Sequence, residues 1–243
     1  MIRTLPLVLA GLLLLKGHAQ GFGLTLSPAR LELEGALEGS AQVQNDGEGV
    51  VLEVGKVPFV LGLDGQLHLG QTGKDLCPEL EVLPVGRVAL ERGGRMELRL
   101  RVRPFQGEGT YWCAVSLKTL PPPAREGLRV LLQINLLLPV YYTFAGTGRP
   151  RLEVEGFGRA GDELQLNLAN AGNVLLRLSG SLVFYEASGR EALRIPLSEG
   201  DGLPLLPGGR RLLSFRPGLP PGYKVLLLLD LGPYGRKALE AVW

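Results

Sequence analysis

The sequence predicts an all-β protein, two tandem antiparallel β-sandwich domains behind a cleaved signal peptide, on three observations. Of 243 residues, 35 are Gly and 18 are Pro, and the longest stretches free of both are 11 residues, Thr110 to Leu120 and Leu128 to Leu138. Helix interiors tolerate neither residue, so long helices are excluded. Between these breaks apolar and polar residues alternate with the period of a half-buried strand, as in Arg95-Met-Glu-Leu-Arg-Leu-Arg-Val102. At 45% hydrophobic and 21% charged the chain is too apolar to be disordered, and its length suits two domains of about 100 residues.

The first element is the leader, residues 1–19. Arg3 supplies a basic start, Pro6 to Leu15 an apolar core, and Gly17-His18-Ala19 a small-x-small cleavage site. Lys16 ends the apolar run well short of the about 20 residues a membrane anchor needs. The exported chain is expected to begin at Gln20, in the periplasm or cell envelope. Losing Arg3 and Lys16 from 26 basic side chains leaves 24 against 24 acidic ones. A chain with no net charge offers no general attraction for nucleic acid.

Next comes the segment Leu24 to Gly35, bent at Pro28, and then strands at Ala41 to Asn45, Val50 to Leu61, Glu79 to Leu83, Arg95 to Val102, Tyr111 to Leu117 and Arg129 to Phe144. Turn clusters separate them, among them Asn45-Asp46-Gly47, Leu63-Asp64-Gly65 and Arg92-Gly93-Gly94. Seven strands make a first sandwich over residues 20–146. The stretch Ala145-Gly-Thr-Gly-Arg-Pro150 reads as a linker. Beyond it, residues 147–243 carry strands at Arg151 to Val154, Glu163 to Leu168, Val174 to Tyr185, Glu191 to Ile195, Arg210 to Phe215, Tyr223 to Leu229 and Arg236 to Val242, a second sandwich.

Little here carries reaction chemistry. Two cysteines, Cys77 and Cys113, in an exported chain predict one disulfide, worth about 3 to 4 kcal/mol by loop closure. One histidine, His68, survives removal of the leader, so a Cys2His2 zinc site cannot be assembled; a Ser-His-acid triad would have to use His68, which falls in an apparent hairpin, and the chain has no Gly-x-Ser-x-Gly elbow. Nucleotide and calcium motifs are missing as well. Glu32, Glu34, Glu153 and Glu155 alternate along strands, as solvated faces do. The expectation is a protein with no catalytic residue, cofactor or metal.

The unusual element is the stretch Leu128 to Phe144, about 17 extended residues against the usual five or six. Val130, Leu132, Ile134, Leu136 and Leu138 share one face. One reading is a central strand buried on both faces. The other is an edge strand whose apolar row is lent to another chain, which Pro139 favours because it cannot donate to a ladder.

Tyr111-Trp-Cys-Ala-Val-Ser-Leu-Lys-Thr-Leu-Pro-Pro-Pro123 followed by Val130-Leu-Leu-Gln-Ile-Asn-Leu136 resembles the penultimate strand, proline loop and last strand of periplasmic pilus-assembly chaperones, the PapD-like family. Ser27-Pro-Ala-Arg-Leu-Glu-Leu-Glu-Gly35 is similar to that family's first strand. The resemblance, over about Leu24 to Phe144, implies immunoglobulin-like sandwiches and a partner that is an exported, pilin-like subunit. It also implies an outer-membrane assembly protein as a further partner. Val130, Leu132, Ile134, Leu136 and Leu138 would then complete the subunit's fold by strand donation. By the same resemblance Arg30 would anchor the subunit's terminal carboxylate, although a surface strand charge explains it as well. The family's second anchor is a lysine, and its position falls at or near Tyr141, whose hydroxyl can bond a carboxylate but cannot neutralise it. Cys77, after the third strand, would not form the usual inter-sheet immunoglobulin disulfide. A structural or adhesive surface module with its long strand simply buried is the alternative.

Overall fold

A computed structural model describes residues 23–120, 133–198 and 202–243. The leader and the expected donor residues Val130 and Leu132 lie outside the described residues. In chain order the strands are β1 (Leu24–Ser27), β2 (Leu31–Glu34), β3 (Glu38–Asn45), β4 (Val50–Val57), β5 (Phe59–Leu61), β6 (Leu67–Leu69), β7 (Leu80–Leu83), β8 (Gly86–Leu90), β9 (Arg95–Val102), β10 (Thr110–Leu120) and β11 (Asn135–Thr143). After the linker come β12 (Leu152–Ala160), β13 (Glu163–Asn170), β14 (Leu176–Tyr185), β15 (Glu191–Pro196), β16 (Leu203–Leu205), β17 (Arg210–Phe215), β18 (Lys224–Asp230) and β19 (Arg236–Val242).

The first sandwich packs the sheet β1-β3-β9-β7 on the sheet β2-β11-β10-β4-β8. The bend at Pro28 divides one edge segment between them: β1 pairs antiparallel with β3, and β2 crosses over to run parallel to β11. Pro58 likewise ends β4, and the chain continues as β5, which forms a hairpin with β6. Val43, Leu52, Leu98, Leu117, Leu138 and Val140 lie in the core between the sheets. The second sandwich packs β12-β13-β17 on β15-β14-β18-β19, with β16 added along β14. Its core includes Leu166, Leu176, Phe184, Leu227 and Trp243.

The two sandwiches share a polar clasp that holds a turn to a strand end. Asn45, at the end of β3, is buried; its Nδ2 donates to Leu90 O at 3.0 Å and Glu48 O at 2.6 Å, and its Oδ1 accepts from Gly47 N at 3.0 Å. Its backbone pairs with Gly93 and Gly94. Asn170, at the end of β13, repeats this with Leu205 O at 2.9 Å, Val174 O at 2.7 Å and Gly172 N at 3.0 Å, and its backbone pairs with Gly208 and Gly209. Buried amides are satisfied in this way because an unpaired one is costly.

The domain junction combines apolar packing with hydrogen bonds. Phe59, Trp112, Ala114 and Tyr141 of the first domain pack with Leu175 and Leu206 of the second, and Trp112 Nε1 donates to Phe59 O at 2.8 Å. Thr110 N donates to Asn173 O at 2.8 Å, and Leu175 N to Thr110 Oγ1 at 2.9 Å. A second bridge joins Leu212 N to Leu63 O at 2.9 Å. Gly109 has φ of 72°, and a Cβ there would stand 2.0 Å from Asn173 O. Gly109→Ala should therefore cost about 2 kcal/mol of stability, read as a lowered urea midpoint.

Candidate functional site

Among the described residues the long apolar strand has two different halves. Of the expected span, β11 occupies Asn135–Thr143. Its Val140–Thr143 half lies between β10 and β2, paired on both edges. There Val140 and Tyr142 face the sandwich core while Tyr141 faces the domain junction, so this half is buried on both faces. Its Asn135–Pro139 half pairs with β10 on one edge, and among the described residues no strand covers the other. An unpaired edge is the feature that strand addition uses.

The structure distributes the expected donor row along this strand. Ile134 is half-buried just before β11, its backbone bonded to Thr119 on both sides. Leu136 is half-buried and packs against the first core from its margin. Leu138 corrects the expectation: it is fully buried among the chain's own core side chains and has no surface to lend. The reason is register. Leu138 sits opposite Val115 in the middle of β10, where the second sheet closes above it.

A cleft of about 240 Å³ opens beside the paired half, lined by residues of both domains that include Glu32, Tyr141, Leu175, Arg177 and Tyr234. Arg30, between β1 and β2, donates its Nε to Glu32 Oε1 at 2.8 Å. Arg177, on β14, donates its Nε to the same oxygen at 2.7 Å. Arg177 Nη2 lies 2.6 Å from the same oxygen, an ion-pair contact. The Arg177 guanidinium lies 5.5 Å from the centre of the Tyr141 ring. Burial pushes the Tyr141 hydroxyl pKa up, opposed by the positive charge of Arg177.

The structure thus places Tyr141 in the cleft wall and ties Arg30 to that wall through Glu32, and it adds Arg177, which the sequence did not single out. Arg177 alternates with Leu176 and Leu178 as a solvated strand residue would, and its partner Glu32 is 145 positions away. The signal available was an arginine inside an apolar strand. Cys77 and Cys113 are joined, tying the loop before β7 to the middle of β10. His68 is exposed on the β5–β6 hairpin.

No family model and no curated protein matches the sequence. Solved structures do match its fold. A chain of the chaperone–tip adhesin complex of CFA/I fimbriae biogenesis covers 90% of this chain and 98% of its own length, with TM-score 0.53 and 13% identity. The class 5 fimbriae chaperone CfaA covers 91% and 100%, with TM-score 0.52 and 13% identity. A chain of the CsuC–CsuE chaperone–tip adhesion subunit pre-assembly complex, from the archaic chaperone-usher Csu pili of Acinetobacter baumannii, covers 90% and 98%, with TM-score 0.51 and 15% identity. At these identities what is shared is the two-sandwich fold.

Proposed function

We propose that this chain is an exported chaperone-like protein that binds an exported pilus or surface subunit by lending it the open edge that leads into β11. The observation that carries the reading is the half-covered strand: among the described residues the second edge of Asn135–Pro139 is unpaired, while Val140–Thr143 is locked between β10 and β2. A locked half holds the donor edge in place, so little ordering entropy is lost when a partner strand pairs with it. Leu136 and Ile134, with Val130 and Leu132 ahead of them, are the side chains that would enter the partner's core. On this reading the partner's terminal carboxylate would end at the cleft that Tyr141 and Arg177 line, with Arg30 beside it on Glu32 and Arg177 supplying the second positive charge that Tyr141 cannot. The fold shared with chains of fimbrial chaperone complexes supports this reading, as does the leader expected of a periplasmic protein. An outer-membrane assembly protein is a further partner on the same reading. No step of this function calls for a catalytic group or a cofactor.

The test is co-purification of the exported chain, residues 20–243, with the proteins of its own envelope, followed by mass spectrometry. A small β-rich exported subunit should be recovered in near-equal amount. Leu132→Asp and Leu136→Asp should each reduce that recovery at least about tenfold, because a carboxylate cannot be buried unpaired in the partner's groove, while the circular dichroism spectrum is unchanged. A stable monomer that retains nothing would overturn the reading in favour of a surface module.

A further inference from the structure

The junction is tied on two sides, and the sides are built differently. On one, Thr110 N and Leu175 N are bonded across the domains beside the apolar packing of Phe59, Trp112 and Tyr141. On the other, the tip of the β5–β6 hairpin meets β17 through the bond from Leu212 N to Leu63 O. Arg211, next to Leu212 on β17, lies against that tip: Gly65 has φ of 75°, and a Cβ there would overlap the Arg211 guanidinium. Arg211 Nε and Nη1 are buried, and among the described residues neither has a hydrogen-bond acceptor. The acidic neighbour Asp64 turns its Oδ1 to Gln66 N at 2.9 Å, inside the turn. Burial lowers the Arg211 pKa, opposed by the charge of Asp64. We infer that the hairpin tip, residues 62–66, is a releasable latch between the two sandwiches, one that lifts off β17 while Phe59 holds the root of the hairpin.

Two buried donors without acceptors have lost their water and gained no bond, so the shut latch is held less tightly than its packing suggests. Lifting the tip returns both donors to water. Little else holds the tip down. β5 and β6 are three residues each, and among the described residues neither pairs with a third strand, an arrangement that is marginal by itself. Leu63, whose carbonyl makes the bond to β17, is 57% exposed and so adds little apolar burial. The root is different: Phe59 is fully buried, and its carbonyl accepts from Trp112 Nε1 at 2.8 Å. The hairpin therefore opens as a flap about Phe59. Shut, it ties the sandwiches on both sides of their apolar seam. Open, it leaves the side of Thr110, Asn173 and Leu175 to join them, and the sandwiches can turn about that side. The latch goes beyond strand donation and does not depend on it.

The experiment is native-state hydrogen exchange of the nitrogen-15-labelled chain, residues 20–243, under conditions where protection reports the opening equilibrium. The Leu212 amide should be protected at least about 100-fold less than the amides of Thr110 and Leu175. Arg211→Met, which keeps an apolar stem and removes the unpartnered donors, should raise the protection of Leu212 about tenfold and leave Thr110 and Leu175 unchanged. Fraying of β17 alone would expose Leu212 equally in both chains. Protection of Leu212 equal to that of Thr110 and Leu175 in the unaltered chain would overturn the latch. So would Arg211→Met that leaves Leu212 unchanged or less protected, since the guanidinium would then be no weak point or would be a brace.

Discussion

Reduction of the Cys77–Cys113 bond should lower the unfolding free energy by about 4 kcal/mol, because a loop of this length gains that much entropy when opened. The two cysteines are 36 positions apart. The bond closes a loop that carries β7, β8 and β9, and Cys113 itself is fully buried. Hydrogen bonds tie the same loop to β10 and β4: Leu76 N donates to Trp112 O and Trp112 N to Lys74 O, both at 3.0 Å, while Lys56 Nζ reaches Cys77 O at 2.7 Å. Urea denaturation with and without reductant measures the loss directly. Cys77→Ala with Cys113→Ala should reproduce it without a reductant. A shift under about 1 kcal/mol would mean that the loop is already ordered in the unfolded chain.

Asn45→Ala and Asn170→Ala should each cost about 3 kcal/mol, nearly as much as the disulfide. Asn45→Ala strips a donor from three backbone carbonyls and Asn170→Ala from two, each also removes an acceptor from one amide, and a buried group left unsatisfied carries its desolvation cost. Asn45→Asp and Asn170→Asp should be no better, since a carboxylate keeps the acceptor but has no hydrogen for Leu90 O or Leu205 O. Denaturation midpoints measure both pairs. A loss under about 1 kcal/mol in either would show that water replaces the amide.

The sequence discloses strands where burial is one-sided and fails where it is not. Arg95–Val102 was read at its true bounds because its eight residues alternate strictly between solvent and core. β8, β6 and β16 were missed: five or three residues between turns give too few alternations to count. The run Leu136-Leu-Leu138 has no alternation at all, so nothing local says that Leu138 goes inward while Leu136 stays at the margin. Asn45-Asp-Gly47 and Asn170-Ala-Gly172 were legible as turns, yet that each asparagine turns its amide inward depends on carbonyls 45 and 35 residues downstream. Arg177 is the extreme case. Its meaning lies in Glu32 on another domain, and no pattern along the chain connects them.

The two asparagine clasps look interchangeable but do not have the same neighbours. The partners of Asn45 lie within residues 47–94, all inside the first sandwich. The turn begun by Asn170 continues into Asn173, whose carbonyl takes the Thr110 amide and whose side chain receives Arg149 N at 2.7 Å and donates to Thr147 O at 3.1 Å. One clasp is private property and the other a party wall. Damage to the first is a domestic matter for a single fold, whereas damage to the second is shared with the house next door, and would be noticed by a tenant lodged in the cleft between them.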